Sequence, residues 1–253
     1  MKTNFFRYVM YYCCLSIMVI NAKAEEIKVV TEYLTPYQIK NPDNSLGGFS
    51  TDIIQAIFKE AKKEPKFIVL PWARAYEVAK SEKNVLIFSI ARTKEREKLF
   101  QWLGSLANER LYFWGLKTQF QTSISDEEQL KQYKIAIARY SNVDDYLINN
   151  NFKQIYKLSK EEQNIQMLFK GRADLIVSSE MTLKHKSKNL DFDFNKMIKV
   201  KEFTDLNNNL SLAINLNSDA DLVHEFQLAY EAVKSRGVIE SIYNKWGISQ
   251  NED

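Results

Sequence analysis

Cysteine, histidine, proline and glycine are scarce in this chain, whose 253 residues include two, two, four and seven of them. Both cysteines, Cys13 and Cys14, lie within the first 24 residues. The rest of the chain therefore offers no disulfide framework, no thiolate zinc site and no cysteine nucleophile. The few glycines and prolines argue against collagen-like segments, low-complexity linkers and glycine-rich phosphate loops. With 45% hydrophobic and 26% charged residues, the composition is that of an ordinary globular protein.

The first 24 residues have the pattern of a cleaved secretory signal. Lys2 and Arg7 precede an apolar run at 9–20, and an Ala-Lys-Ala tripeptide at 22–24 supplies the small residues that signal peptidase requires. The apolar run is shorter than the ~20 residues of an ordinary membrane span. The residues before the first cysteine also lack the Leu-small-small pattern of a lipoprotein leader. We therefore predict a signal peptide at 1–24 and a free periplasmic protein.

No sign of charge predominates once this leader is set aside. Three of the 35 Lys and Arg residues and none of the 32 Asp and Glu residues lie in it, so the other 229 residues carry 32 basic and 32 acidic side chains. The formal charge of +3 belongs to the leader. A neutral mature chain gives no electrostatic reason to expect a nucleic acid or an acidic membrane as its partner.

Two successive units of alternating strands and helices follow the leader. Runs of β-branched and aromatic residues predict strands, and apolar residues at helical spacing predict helices. The alternation indicates a mainly parallel α/β fold. Strands are predicted at 27–31, 67–70, 85–90, 111–116, 134–138, 155–158, 173–178 and 210–214, and helices at 53–61, 73–80, 143–149, 218–233 and 237–246, with one more helix between a capping box at Ser159 and Glu162 and a closing Gly171.

Four motifs then stand out in order along the chain. The first reads Gly-Phe-Ser-Thr-Asp-Ile-Ile at 48–54, the second joins 89–96 to a strand at 99–102, the third is Gly-Arg-Ala-Asp at 171–174 with the strand after it, and the fourth is the helix at 237–246. Together they resemble the bacterial extracellular solute-binding proteins of family 3, over essentially all of the predicted mature chain. Ser50 departs from that family's first motif, which usually has an acid there.

The resemblance implies an α/β, periplasmic-binding-protein-like fold of two α/β lobes joined by two hinge strands, in type II topology. Residues 25–113 and 210–253 would form lobe 1 and residues 114–209 lobe 2, with crossings near 112–117 and 207–211. It also implies a monomeric periplasmic protein that binds a small carboxylate-bearing, amino-acid-like ligand for an inner-membrane ABC permease, without a cofactor. A membrane sensor as the partner is one alternative, and a cyclohexadienyl-dehydratase-like enzyme is another.

Arg96 is the residue that the resemblance assigns to the ligand carboxylate. A planar guanidinium can hold a carboxylate through two parallel charge-assisted hydrogen bonds. Near the start of a short helix after Thr93, Arg96 would act together with free backbone N–H groups. The alternative is a solvated arginine in the charge run at 94–98. The same segment would bring Ser89 and Ala91 to the ligand.

Aromatic and basic residues would complete the lobe 1 side of the ligand site. Trp72 follows a strand, where an indole offers a flat apolar face and an N–H donor, although a core tryptophan is an equal alternative. Tyr33 would form the opposite wall, or be a buried structural tyrosine. Arg74 and Arg92 would add positive charge, unless they pair with surface acids.

Polar residues at two strand ends would form the lobe 2 side. Ser141 and Asn142 lie between a strand and a helix, where they would reach the ligand, cap the helix, or do both. The family members that bind α-amino acids usually have Asp where this chain has Ser179, to receive the ammonium group. Either Glu180 replaces that acid, or the ligand lacks an ordinary α-ammonium group, as an anionic or aromatic carboxylate would.

Catalytic and metal-binding motifs are absent from the sequence. His185 and His224 are far apart and have no cysteine partners, so both are expected at the surface. There is no Gly-x-Ser-x-Gly elbow, no His-Glu-x-x-His helix and no phosphate loop. The acidic pairs lack the spacing of a calcium loop. We therefore expect a binding protein with no catalytic residue and no metal site.

Overall fold

The computed structural model describes residues 26–204 and 208–248, so the predicted signal peptide lies outside the described residues. Twelve strands and seven α-helices occupy these ranges. The strands are β1 (Glu26–Thr31), β2 (Ile39–Lys40), β3 (Leu46–Gly47), β4 (Glu64–Val69), β5 (Leu86–Ala91), β6 (Phe100–Asn108), β7 (Leu111–Leu116), β8 (Ile135–Ala138), β9 (Ile155–Leu158), β10 (Leu175–Ser179), β11 (Met197–Glu202) and β12 (Asn209–Asn215). The helices are α1 (Phe49–Glu60), α2 (Trp72–Ser81), α3 (Asn142–Asn149), α4 (Glu161–Phe169), α5 (Glu180–Asn189), α6 (Ala220–Ser235) and α7 (Val238–Trp246), with 3₁₀ turns at Glu127–Gln132 and Phe194–Lys196.

Two five-stranded sheets form the centres of two lobes. The first sheet has the order β4-β1-β5-β12-β6 and the second the order β11-β7-β10-β8-β9, while β2 and β3 form a small separate ribbon. Strands β1, β4 and β5 are parallel, as are β8, β9 and β10. Strands β6, β7, β11 and β12 pair antiparallel with their neighbours. The prediction of a mainly parallel fold is therefore wrong for β6, β7, β11 and β12, the strands on either side of the two passages between the sheets. Antiparallel neighbours need no crossover helix, so the strand-helix alternation did not reveal them.

The chain passes between the sheets at two adjacent segments. It leaves the first sheet after Asn108 and enters the second at Leu111, and it returns between Glu202 and Asn209. The backbone N–H of Glu109 donates to the carbonyl of Asn208 at 3.2 Å, so the two crossings are hydrogen-bonded to each other. The first crossing lies a few residues before the predicted one at 112–117, since β7 belongs wholly to the second sheet. Of the second predicted crossing, Asn207 lies outside the described residues.

Apolar faces of the helices cover both sheets. The face of α1 that carries Ile53 and Ile57 is fully buried, and α6 and α7 pack beside it, with the Phe58 and Phe226 rings 4.8 Å apart. The last two helices thus return to the first lobe. Gly48, with φ 109°, precedes α1, and a Cβ there would lie 2.5 Å from the Tyr37 carbonyl oxygen, so this turn requires glycine.

Some elements differ from the predicted ones. Helix α4 begins at Glu161 after an N-cap at Lys160, whose backbone N–H donates to the Gln163 side chain at 3.2 Å, so the predicted capping box at Ser159 and Glu162 is wrong. Residues 94–99 form turns rather than a helix, so Arg96 does not lie at a helix start. Strand β11 and helix α5 have no counterpart among the predicted elements, and the strand predicted at 99–102 is the start of the longer β6. Within residues 26–204 and 208–248, no helix has the length and hydrophobicity that a membrane crossing needs.

Candidate functional site

A cavity of about 700 Å³, open to solvent, lies between the two lobes. It is lined by residues at or just beyond the carboxyl ends of β1, β5, β8 and β10, where parallel strands direct their connecting loops toward a common crevice. Both crossings also contribute. The lining residues are Glu32, Leu34, Trp72, Ser89, Ala91, Arg96, Glu109, Leu111, Ile137, Ala138, Ser141, Asn142, Val143, Glu161, Asn164, Val177, Ser178, Ser179, Thr182, Asn208 and Leu210.

A β-bulge places Ser89 in the cavity wall. In the pairing of β5 with β12, Ile90 lies opposite Ser211 and Phe88 opposite Leu212, so Ser89 is the extra residue. Its φ of 55° lies in the left-handed region, which non-glycine residues rarely adopt. The hydroxyl of Ser89 accepts a hydrogen bond from the buried Gln38 side chain. The bulge turns a polar side chain of an otherwise apolar strand toward the cavity.

Arg96 lies in the turn after β5 and is only 2% exposed. One guanidinium nitrogen, Nη1, donates to the Ala91 carbonyl at 3.3 Å, and Nη2 donates to the Tyr140 carbonyl at 2.8 Å. Among the described residues, its Nε has no acceptor. Burial lowers the pKa of this guanidinium, although the nearby Tyr76 and Asp145 oppose the shift. Arg96 is therefore a desolvated cation with spare donor capacity at the cavity wall.

The Tyr140 carbonyl also joins the two lobes through Trp72. The indole Nε1 donates to it at 2.8 Å, so this one oxygen accepts from both Trp72 and Arg96. The Arg96 guanidinium lies 5.7 Å from the Trp72 ring and 3.8 Å from the Asp145 carboxylate on α3. Tyr140 has φ 59°, and the Asp144 carboxylate accepts its backbone N–H at 3.0 Å. The strained residue therefore holds its carbonyl toward the opposite lobe.

A second polar network surrounds Glu109 at the first crossing. One carboxylate oxygen, Oε1, accepts from the Ser179 hydroxyl at 2.9 Å and the Thr182 hydroxyl at 3.4 Å, while Oε2 accepts from the Asn208 amide at 2.9 Å. Asn208 in turn accepts a hydrogen bond from Asn142 at 2.8 Å. Burial raises the pKa of Glu109, and hydrogen bonds with neutral partners only partly counter it. The network joins both crossings to the starts of α3 and α5.

A third cluster combines acids with a buried lysine. Lys186, whose side chain is 5% exposed, lies 2.5 Å from Glu161 and 3.3 Å from Glu162. Despite its burial, these carboxylates and Glu32 raise the pKa of Lys186. Burial raises the pKa of Glu32 to about 8; Lys186 lowers it, and the two other glutamates raise it further. Glu161 also accepts from the Ser178 hydroxyl at 3.0 Å, so Glu161 is already paired and Glu32 is not fully compensated.

The sequence-predicted site residues separate into two groups. Seven of them line the cavity, namely Trp72, Ser89, Ala91, Arg96, Ser141, Asn142 and Ser179. The hydroxyl of Ser141 also caps α3 by accepting the Asp144 N–H at 3.1 Å, so its capping and cavity positions coexist.

Tyr33, Arg74, Arg92 and Glu180 are not among the lining residues. Arg92 is exposed, forms two hydrogen bonds with Glu97 at 2.6 and 2.8 Å, and lies over the Trp102 ring. Glu180 pairs with Lys184 at 2.7 Å and Lys199 at 2.6 Å. The proposed positive cluster of three arginines is therefore reduced to Arg96 at the cavity.

Several lining residues were missed from the sequence. Glu32 directly follows β1, and Glu161 begins a helix that follows a strand, positions at which polar residues in α/β folds often meet a ligand. Glu109 and Asn208 flank the two crossings, so the sequence signal for them was the position of the crossings. Their contact depends on how the segments meet in space, which a linear pattern does not show.

The geometry agrees with comparisons to known proteins. Residues 27–110 match the family model described as bacterial extracellular solute-binding proteins, family 3. The chain is 26% identical, over 90% of its length and 93% of the relative's, to the arginine-binding periplasmic protein of Mannheimia haemolytica. The chain is thus similar to solute-binding protein family 3 over residues 27–110 and to a periplasmic binding protein over nearly its whole length. Its two lobes have the fold of periplasmic binding proteins.

Solved structures share this two-lobed fold. A histidine kinase sensor domain with similarity to periplasmic binding proteins has a TM-score of 0.78 at 15% identity, covering 88% of this chain and 96% of that one. An ancestral arginine-binding protein bound to arginine has a TM-score of 0.74 at 21% identity, covering 87% and 97%. At these identities, the likeness concerns the fold.

Proposed function

We propose that this chain is a periplasmic binding protein that closes its lobes around an amino acid and presents it to an inner-membrane ABC permease. The observation that supports this most directly is Arg96, a buried cation that lines the interlobe cavity and whose Nε has no acceptor among the described residues. A ligand carboxylate would supply the acceptor that Nε lacks, through a charge-assisted hydrogen bond. Lobe closure would remove this contact from water and strengthen it.

Amino acids with a cationic side chain are the first ligands to test. The Mannheimia relative is named for arginine, and the cavity wall carries three glutamates against one arginine. Glu32 is the least compensated of the acids that lie near Lys186. A guanidinium or ammonium group beside it would offset the cost of ionising it in a buried position. The anionic and aromatic carboxylates that the sequence left open fit this wall less well.

The experiment is a thermal-shift and calorimetric screen of the mature protein against L-arginine, L-lysine, L-ornithine, L-glutamine, L-glutamate and shikimate-type cyclic acids. A ligand at about 100 times its Kd stabilises the folded state by about 2.7 kcal/mol, or roughly 5–10 °C in Tm for a chain of this size. A hit recovered unchanged by mass spectrometry supports binding, whereas a converted product would support the dehydratase-like alternative. A flat screen across all amino acids contradicts the proposal.

Arg96→Lys and Arg96→Met test the assigned anchor. Lysine keeps the charge but loses the planar fork, so we expect weaker binding with lysine and still weaker binding with methionine, by about 30-fold or more. Arg92→Met is the matched control, because Arg92 is exposed and paired with Glu97. Full affinity in both Arg96 variants would remove the assigned role. Uptake of the bound amino acid by vesicles carrying the cognate permease tests transport against sensing.

A further inference from the structure

Position 179 is where the family resemblance leads one to expect an acid for the ligand ammonium, and this chain has serine there. The Ser179 hydroxyl nevertheless has a carboxylate beside it. It donates to Glu109 Oε1 at 2.9 Å, and it accepts the Thr182 N–H at 3.3 Å as the cap of α5. The Glu109 carboxylate, from the first crossing, thus lies at the carboxyl end of β10, where this chain has no acid of its own.

We infer that Glu109 receives the α-ammonium group of an amino acid ligand, in place of the acid absent at position 179. This rests on the function proposed above. It makes the ligand a zwitterion held between two groups of the same cavity wall, the Arg96 guanidinium and the Glu109 carboxylate. A ligand with a carboxylate alone would satisfy only one of them.

Two features distinguish Glu109 from the other acids of the cavity. Each hydrogen-bond donor recorded for it within the described residues is a neutral group, from Ser179, Thr182, Asn208 or Tyr37. Glu161, by contrast, is paired with Lys186 at 2.5 Å. A carboxylate fixed by neutral donors and facing a cavity is suited to a cationic ligand group, because no protein cation competes for it.

The second feature is the position of Glu109 between the lobes. It belongs to the crossing, it accepts from Ser179 and Thr182 of the second lobe, and it is joined to Asn208 of the other crossing. An ammonium bound there would therefore contact a group whose partners change as the lobes open. Burial raises the pKa of Glu109, as it does that of Glu32, and a neighbouring cation would favour the ionised form that burial disfavours.

Sequence reasoning offered Glu180 as the substitute acid. The structure gives Glu180 two lysine partners, Lys184 and Lys199, and its side chain does not line the cavity. Glu180 is therefore the matched control for Glu109, since it is one residue from Ser179 in sequence and carries the same side chain.

The test compares each amino acid with its analogue that lacks only the α-amino group. L-arginine is paired with 5-guanidinopentanoate, and L-glutamine with 4-carbamoylbutanoate, by calorimetry on the mature protein. We expect the natural chain to prefer the amino acid of the pair that binds by about 100-fold. Glu109→Gln should reduce this preference to below about 10-fold, Glu109→Asp should retain more of it, and Glu180→Gln should leave it unchanged.

Each outcome decides the inference. If the natural chain binds an amino acid but Glu109→Gln keeps the full preference, Glu109 is not the ammonium acceptor and the proposed function stands. If the preference is lost equally in Glu180→Gln, the effect is general and the inference is overturned. If neither amino acid binds while both deamino analogues do, the ligand is a simple carboxylate and the inference fails. If no probe binds at all, the proposed function fails with it.

Thermal unfolding of Glu109→Gln and Glu109→Asp identifies a variant that does not fold. The preference is then measured with the other variant.

Discussion

Replacing Glu32 by glutamine is expected to stabilise the protein more and more as the pH rises from about 5 to about 9. The pKa of Glu32 is about 8 in the folded chain, against an ordinary value of 4.5, because the carboxyl is buried near Glu161 and Glu162 and Lys186 compensates only in part. Between these two values the unfolded chain has lost the proton and the folded chain keeps it. Rising pH therefore lowers the free energy of unfolding. Glutamine does not titrate, so Glu32→Gln removes this loss of stability.

The size of the effect follows from the same two values. An increase from 4.5 to about 8 corresponds to at most about 5 kcal/mol, at about 1.4 kcal/mol for each tenfold change in proton affinity. Glu32 is half-buried, so solvent screening reduces the contribution, and we expect about 1–2 kcal/mol. In a chain of this length that amounts to roughly 2–8 °C in Tm.

The assay is differential scanning calorimetry of the natural chain and of Glu32→Gln at about pH 5 and about pH 9. The gain in Tm should be small at the lower pH, should grow through the range and should level off above about pH 8. Glu240→Gln, at an exposed position on α7, is the control and should show no such growth. A gain that is the same at both pH values, or one that shrinks as the pH rises, would refute the reasoning.

Two other substitutions test packing and pairing. Lys186→Met should lower the free energy of unfolding by about 3 kcal/mol, because it leaves Glu161 without its 2.5 Å partner. The control Lys184→Met removes an exposed pair and should lower it by under about 1 kcal/mol. Equal losses of stability in urea denaturation would contradict this. Gly104→Ala should cost about 1–3 kcal/mol, because its Cβ would lie 2.2 Å from the Tyr230 ring, and an unchanged Tm would show that the ring moves aside freely.

Elements with an apolar face could be predicted closely from the sequence. The predicted strand at 155–158 coincides with β9, and the predicted helix at 143–149 differs from α3 by one residue. Helix α5 was missed because its buried face is largely polar: Thr182, Lys186 and Ser187 are buried on it. Hydrophobic periodicity cannot detect a helix whose position is fixed by an ion pair with α4.

The residues of the site also differ in how far they could be predicted from the sequence. Trp72 and Arg96 could be found because they follow strands and match motifs of a known family. Glu109 and Asn208 are 99 residues apart, and only the meeting of the two crossings brings them together. Ser89 was also predicted, from the motif at 89–96, although the bulge that turns it toward the cavity cannot be read from a run of apolar residues. Residues placed by local structure were therefore predictable, while residues placed by the approach of distant segments were not.

The Tyr140 carbonyl has a consequence for any affinity measured on this protein. This carbonyl accepts a hydrogen bond from the Arg96 guanidinium, the group that would bind a ligand carboxylate in the proposed function. It would therefore compete with the ligand for the same donor. A carboxylate that takes Nη2 exchanges one acceptor for another, and the measured free energy is the difference between them. Trp72 remains bonded to the displaced oxygen, which keeps that oxygen satisfied during the exchange. Under the proposed function, affinity would thus be set partly by a backbone atom that the ligand replaces.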